Sequence, residues 1–293
     1  MSECMLCPRG CGADREGGEL GFCGVGSKIK IARAAPHHWE EPVISGTRGS
    51  GAIFFSGCSL RCVYCQNKKI SHGALGKSID SAELERIIFE LCELGVHNIN
   101  FVTGTHYADK IAKILEKIKP RLGIPIVWNT SGYESESTLD MLAGLVDIYL
   151  PDFKYFDPEL AKSYSAAPDY PEIAAAAIKK MHSQVGAVEL DDDGMMKSGM
   201  IVRHLVLPGC RKDSLRAVEA LASILPPEDI YLSLMSQYTP EFASNSEFSN
   251  LHRRLTSFEY ESVLRRTSEL GFIGFSQERE AATSDFTPEF FGE

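Results

Sequence analysis

Long apolar runs are absent from this 293-residue chain, tryptophan occurs only twice, and Lys plus Arg number 30 against 40 Asp plus Glu. Each shortage excludes something. No segment approaches the roughly 20 apolar residues that cross a bilayer. No apolar stretch follows Met1-Ser2-Glu3-Cys4, so neither a membrane partner nor a secretory leader is expected. A formal charge of -10 repels a phosphate backbone, so no nucleic-acid partner is expected and the acidic surplus reads as solvated surface. A disulfide framework is missing too: the 9 cysteines fall at metal-binding spacings, which points to a reducing, cytoplasmic compartment. What is present, 44% hydrophobic residues, can bury one large core, so a single α/β domain is expected without a second compact one.

Three cysteines stand in the run Gly57-Cys58-Ser59-Leu60-Arg61-Cys62-Val63-Tyr64-Cys65-Gln66-Asn67. At this spacing a curled loop or helical turn can point all three sulfurs the same way. The next cysteines along the chain are Cys23 and Cys92, so nothing local supplies a fourth sulfur to close a structural zinc site. Iron–sulfur clusters take thiolates, normally four, and a cluster held by three leaves one iron open to a substrate or cosubstrate. The alternative is a zinc knot closed by His72. A second group, Cys4, Cys7, Cys11 and Cys23, has enough thiols to complete a tetrahedral centre, with Arg9 and Arg15 to offset its negative charge. Its spacing is specific for metal but leaves zinc and iron–sulfur both open. Cys92 and Cys210 have no such neighbours and read as inert packing.

From residue 51 the pattern alternates strand and helix. The apolar run Gly51–Ser56 predicts a buried parallel strand that delivers the cysteine loop at its C-terminal end, where barrel enzymes keep their chemistry. Asp80 as N-cap with Glu83 three residues on, followed by Leu84, Ile87, Ile88, Leu91 and Leu94, predicts a helix ending at Gly95. Further strands are predicted at 99–102, 125–128, 146–150, 200–207, 230–235 and 272–275. Helices are predicted around 111–118 and at 135–143, 171–182, 213–225 and 257–270. That alternation implies a parallel sheet with right-handed crossovers. Residues 187–199, with three aspartates before a glycine, predict a surface hairpin, because the ligand spacing and closing Glu of a calcium loop are missing.

The Cys-x3-Cys-x2-Cys run with Tyr64 before its last cysteine resembles the radical S-adenosylmethionine (SAM) superfamily, and Gly57 with Gln66-Asn67 resembles its glycyl-radical activating enzyme branch, of the pyruvate formate-lyase activating enzyme kind. The likeness covers nearly the whole chain. It implies a partial TIM-like (β/α)6 radical SAM barrel over 51–277, preceded by a Cys-rich metal-binding extension at 1–27 and a linking segment at 28–50 that packs on the barrel, and followed by a C-terminal tail at 278–293. It also implies a 4Fe-4S cluster on Cys58, Cys62 and Cys65 whose open iron is chelated by SAM. The activity implied is an anaerobic oxidoreductase: reductive cleavage of SAM to a 5′-deoxyadenosyl radical, which abstracts hydrogen from a substrate. A flavodoxin or ferredoxin would supply the electron. The leading expectation for the substrate is a glycine of a glycyl radical enzyme, making this an activase. A small metabolite or peptide side chain is the alternative, and a non-catalytic zinc-binding module is the alternative of a different class.

The same resemblance assigns individual residues. Tyr64 is expected near the adenine of SAM. Thr103, Gly104 and Thr105 occupy the place of the family's Gly-Gly-Glu motif, so carbonyls and hydroxyls are left to meet the SAM ammonium. Asn129 and Ser131, in Asn129-Thr130-Ser131-Gly132-Tyr133, suit ribose or carboxylate oxygens. Asp152 and Lys154 match an Asp-x-Lys beside SAM and the site of hydrogen abstraction, and two charges at a strand end call for pairing or a ligand. His204, in Arg203-His204-Leu205-Val206-Leu207-Pro208-Gly209, is the expected ribose contact, and Gln237 a further mouth residue. Placing the extra cysteines before the three-cysteine loop resembles a PflX-like subgroup, as does the stretch from Lys28 to Pro42. His37 and His38 in that stretch are expected to pack rather than to bind metal.

Overall fold

The alternation of apolar strands and amphipathic helices closes into one sheet in the computed structural model, which describes residues 3–72, 75–276 and 290–291. Its elements in chain order are β1 (Ile29–His37), α1 (Pro42–Ser45), β2 (Ser50–Phe55), α2 (Lys68–Ser71), β3 (Lys77–Ile79), α3 (Ser81–Glu93), β4 (Ile99–Val102), α4 (Ala108–Ile118), β5 (Ile126–Thr130), α5 (Glu136–Leu142), β6 (Ile148–Pro151), α6 (Pro158–Ser165), α7 (Tyr170–Val185), β7 (Glu189–Leu190), β8 (Met196–Leu205), α8 (Arg211–Ile224), β9 (Tyr231–Met235), α9 (Ser257–Glu269) and β10 (Ile273–Ser276). The sheet runs β10-β9-β8-β6-β5-β4-β2-β1-β3, with β7 paired to β8. From β2 to β10 along that path every neighbour is parallel, which makes an α/β partial barrel.

Three features depart from the sequence pattern. Residues 29–37 of the linking segment form β1, antiparallel to β2 from Ile31↔Phe55 to His37↔Ser50, so this segment extends the sheet. Helix α6 is not among the predicted helices although its signal is complete: the Asp157 side chain accepts the Glu159 N–H and Pro158 opens the helix. Strand β8 begins at Met196, inside the hairpin, where β7 pairs with it and Asp191 accepts the amides of Asp193 and Met195. Those aspartates build the turn. The C-terminal tail at 278–293 lies outside the described residues except for Phe290 and Phe291.

Alternation along each strand sorts the side chains onto two faces. Ile99, Phe101, Trp128, Tyr149, Val202 and Leu234 face the helices and belong to the main core, together with Leu84, Ile88 and Leu91 of α3 and Ile111, Leu115 and Ile118 of α4. Burying each large aliphatic chain of this kind contributes about 1.5–3 kcal/mol. The opposite face lines the lumen. There Ile44 of α1 packs on Val127, Ile148, Leu150 and Ile201 and closes off the lumen with apolar surface. Asn129, Asp152 and Arg203 follow two residues after Val127, Leu150 and Ile201, on the same face.

Helix α9 carries a full capping box at Thr256 and Glu259. Glu259 also accepts both Arg253 nitrogens, at 2.9 and 2.7 Å, and the Gly209 amide at 2.7 Å. The bond to Arg253 outweighs burial and holds the carboxyl well below the usual carboxylate range. A depressed pKa stabilises the fold above the unfolded carboxylate value, about 4.3, and that contribution fades as pH falls below it. Glu259→Gln is therefore expected to lower the urea midpoint at pH 7, with the gap to the parent protein narrowing below about pH 4.

Candidate active site

Strand β2 ends two residues before Gly57, whose φ of +92° and lack of a Cβ let the chain pass the Cys23 carbonyl, 2.8 Å from where a Cβ would stand. The three cysteines that follow line one wall of a cavity of about 420 Å³ at the C-terminal ends of the parallel strands. Two of the sulfurs have a donor. The Leu60 amide lies 3.4 Å from Cys58 Sγ, and the Ser165 hydroxyl donates to Cys62 Sγ at 2.9 Å. Burial pushes the Cys65 thiol up to about 12, and the neighbouring Cys62 and Cys58 add to the shift. Burial and Cys58 also raise Cys62, against the pull of Lys154. The sulfurs feel each other's charge.

Among the described residues, no three His, Cys, Asp or Glu side chains are grouped to hold a single metal ion. A cubane asks for something wider, because each thiolate binds its own iron. Three soft donors lining one cavity, two of them supplied with a hydrogen bond, fit such a cluster, and loading it would release their protons. The His72 ring is instead beside the Lys68 carbonyl, at 3.1 Å, and the Ser71 hydroxyl, at 3.2 Å, and does not line the cavity. A zinc knot closed by His72 is not formed.

Opposite the cysteines runs a chain of buried charges. Lys154 Nζ donates to Asp152 Oδ2 at 2.5 Å, Arg203 Nε donates to Asp152 Oδ1 at 3.0 Å, and Arg203 Nη2 donates to Asn129 Oδ1 at 2.6 Å. Arg203 Nη1 then lies 3.5 Å from Glu40 Oε2, while Asn100 and Asn129 donate to Glu40 Oε1 at 3.2 and 3.1 Å. Burial alone would raise Asp152, yet the Arg203 and Lys154 charges prevail and hold it below its ordinary value. Lys154 is likewise held charged: burial lowers its pKa, but Asp152 and Cys62 raise it more. For Glu40 burial wins over Arg203, and the carboxyl sits above its usual range.

The expected site residues divide. Tyr64, Thr103, Asn129, Ser131, Asp152, Lys154 and Gln237 line the same cavity as the three cysteines. Thr103 does so with φ +59°, a left-handed backbone that costs a β-branched residue about 1–2 kcal/mol. Tyr64 makes a further connection: its hydroxyl meets that of Tyr155 at 2.6 Å, which meets Ser165 Oγ at 2.8 Å, the donor to Cys62. Gly104 and Thr105 turn away from the cavity, Gly104 against Trp128 and Thr105 onto the buried carboxylate of Glu134 at 2.7 Å. His204 is a correction. Alternation along β8 puts Arg203 and Leu205 on the cavity wall and sends His204 outward, where its Nδ1 lies 2.6 Å from the Phe153 carbonyl.

Glu40 and Trp39 reach the cavity from the linking segment without any spacing signal to announce them. His37 also lines it, edge-on to Phe54 with ring centroids 5.8 Å apart, and burial lowers its pKa to about 4. Of the four N-terminal cysteines, Cys11 and Cys23 have their sulfurs beside Gly21 and Cys4 Sγ lies 3.7 Å from Arg15 Nη1, while the Cys58 amide donates to the Cys23 carbonyl at 3.2 Å.

A family model for the Radical SAM superfamily matches residues 52–188. A curated relative, an uncharacterized protein of Methanocaldococcus jannaschii, is 30% identical over 275 residues, which is 90% of this chain and 74% of the relative. Among solved structures, a radical SAM methyltransferase from Sphaerobacter thermophilus superposes with TM-score 0.54 at 14% identity, covering 83% of this chain and 70% of that one. Streptococcus suis SuiB bound to S-adenosylmethionine gives TM-score 0.50 at 13% identity, over 75% of this chain and 48% of that one. At such identities these two likenesses concern the fold.

Proposed function

The chain belongs to the radical SAM superfamily and is an enzyme of radical chemistry, and on that premise we propose that it takes a hydrogen atom from a small metabolite or peptide side chain whose polar end enters the barrel lumen. The observation that carries this reading is the buried chain Lys154–Asp152–Arg203–Glu40, which extends the cavity wall past the strand ends with charge that a hydrocarbon or bare backbone glycine would not use. Cys58, Cys62 and Cys65 would hold the 4Fe-4S cluster. When bound and reduced, that cluster supplies the electron that cleaves SAM and so generates the hydrogen-abstracting radical.

In this reading Tyr64, Thr103, Asn129 and Ser131 position SAM, and Asp152 with Lys154 orients it next to the substrate as fixed, oppositely charged groups. Phe54, Leu205 and Met235 line the same cavity and keep water from the reacting atoms. A flavodoxin or ferredoxin serves as the one-electron donor. Cys4, Cys7, Cys11 and Cys23 hold a second metal centre. A second reading, activation of a glycyl radical enzyme, is favoured by Gln66 and Asn67, which line the cavity beside Cys65 and carry the likeness to that branch.

The two readings separate by the source of the abstracted atom. The reduced, iron-loaded protein would be incubated with SAM and a perdeuterated cell extract split by ultrafiltration. Deuterium is expected in 5′-deoxyadenosine from the low-molecular-weight or peptide fraction. Label arising only from the protein fraction, with a glycyl radical signal there, would replace this reading by the second.

A further inference from the structure

We infer that Glu134, a buried acid outside the cavity lining, is a positioning residue for the SAM site. Its carboxyl latches the ends of β4 and β5 together and so holds Thr103 in the left-handed backbone with which that residue enters the cavity wall. This rests on the reading above in which Thr103 helps to position SAM.

Backbone strain needs a restraint. A residue other than glycine keeps a positive φ only where its surroundings over-determine it, and Thr103, at φ +59°, is β-branched as well. Its neighbours supply the restraint on both sides. The Thr103 amide donates to the Asn129 carbonyl at 2.8 Å, which fixes the residue against β5. Gly104 follows, with Trp128 so near that a Cβ there would stand 2.9 Å from the indole. Thr105 then turns away from the cavity and donates to Glu134 Oε1 at 2.7 Å.

The same oxygen gathers β5. Trp128 Nε1 donates to Glu134 Oε1 at 3.1 Å, and Thr130 Oγ1 donates to it too. Three donors from two strand ends therefore share one acceptor. Thr105, Trp128 and Thr130 are all buried, so removing that acceptor would strand each of them. Glu134 itself is only 2% exposed, and its other oxygen, Oε2, is buried with no hydrogen-bond partner among the described residues. An acid kept at that cost, away from the cavity, is accounted for by what Oε1 holds.

A tight turn delivers Glu134 to this place. Its amide donates to the Gly132 carbonyl at 3.1 Å, and a Cβ on Gly132 would come within 2.2 Å of the Asp152 carbonyl. Ser131, in the same turn, lines the cavity, as Thr103 does across from it. Opening the latch frees Thr103 to relax toward negative φ. The fraction of molecules able to bind SAM then falls, and the apparent affinity falls with it.

The test uses the whole chain, iron-loaded and with its cluster oxidised so that SAM binds without cleavage, and reads the SAM dissociation constant by equilibrium dialysis. Glu134→Leu is expected to weaken SAM binding roughly 5–30-fold, the equivalent of the strain released. Glu134→Gln, whose side-chain carbonyl still accepts all three donors, should recover most of that affinity. In a Thr103→Gly background, where positive φ is free of the Cβ penalty, Glu134→Leu should have little further effect. Amide hydrogen exchange over 103–107, measured without SAM, should quicken in Glu134→Leu and slow again in Glu134→Gln. Should Glu134→Leu fail to fold, Thr105→Val cuts the latch on the β4 side alone and carries the same expectations. An equal loss of SAM affinity in the threonine and glycine backgrounds, or unchanged exchange over 103–107, would overturn the inference. Faster exchange there with unchanged SAM affinity in every variant, Thr103→Gly included, would instead sink the reading of Thr103 as a SAM residue and leave the latch standing.

Discussion

Cys62→Ala is expected to reduce formation of 5′-deoxyadenosine from SAM below detection, with little change in the thermal unfolding of the metal-free protein. Cys62 is buried against Ser165 and the tyrosine pair Tyr64–Tyr155, so its replacement removes a sulfur and one hydrogen bond without unpairing a charge. Ser165 retains Tyr155 as a partner, at 2.8 Å. With two thiols left, the cluster has no stable seat, and no other cysteine lines the cavity to replace the third. Anaerobic turnover assayed by chromatography checks the first half, and calorimetry the second. Cleavage within tenfold of the parent rate would remove Cys62 from the ligand set.

Arg203→Met is expected to destabilise the protein by about 3–5 kcal/mol, since it strips a buried carboxylate pair of its shared cation. Asp152 and Glu40 would be left to each other, with Lys154 facing Asp152 alone. The pH dependence follows from the signs. In the parent protein the depressed Asp152 stabilises the fold above the unfolded carboxylate value and loses that contribution as pH falls toward its folded value. The raised Glu40 acts the other way, stabilising at low pH and losing the contribution as pH rises through its folded value. Without Arg203 both carboxyls follow the burial term upward, so the deficit should be larger at pH 7.5 than at pH 5.5. Adding Asp152→Asn should recover part of the loss, because the pair is coupled. Equal destabilisation at both pH values, or strict additivity, would contradict a shared buried ion network.

Much of this architecture is legible in the residues, for physical reasons that differ by element. Helix α3 is predicted because its cap, Asp80 with Glu83, and its apolar spacing agree, and the structure places Leu84, Ile88 and Leu91 in the core as that spacing requires. The parallel strands are short apolar runs, which sequence shows clearly. Strand β1 is not such a run: its Arg33, Pro36 and His37 belong to an end of the sheet where one partner, β2, runs antiparallel, so periodicity alone does not mark it. That is also why no pattern marks Glu40, since its position depends on β1 turning back at the start of β2. His204 shows the opposite error. The motif marks it, while the alternation Ile201, Arg203, Leu205 gives the lumen to its neighbour. The motif locates the strand, and the period of two selects the residue.

Electron paramagnetic resonance of the reduced, iron-loaded C4A/C7A/C11A/C23A variant, recorded before and after adding SAM labelled with nitrogen-15 in its amino group, bears most directly on the three-thiol site. An iron left without a protein ligand should take up the amino acid end of SAM, shifting the spectrum and coupling it to the labelled nitrogen. A cluster spectrum indifferent to SAM, or a fourth ligand supplied by the protein, would contradict it.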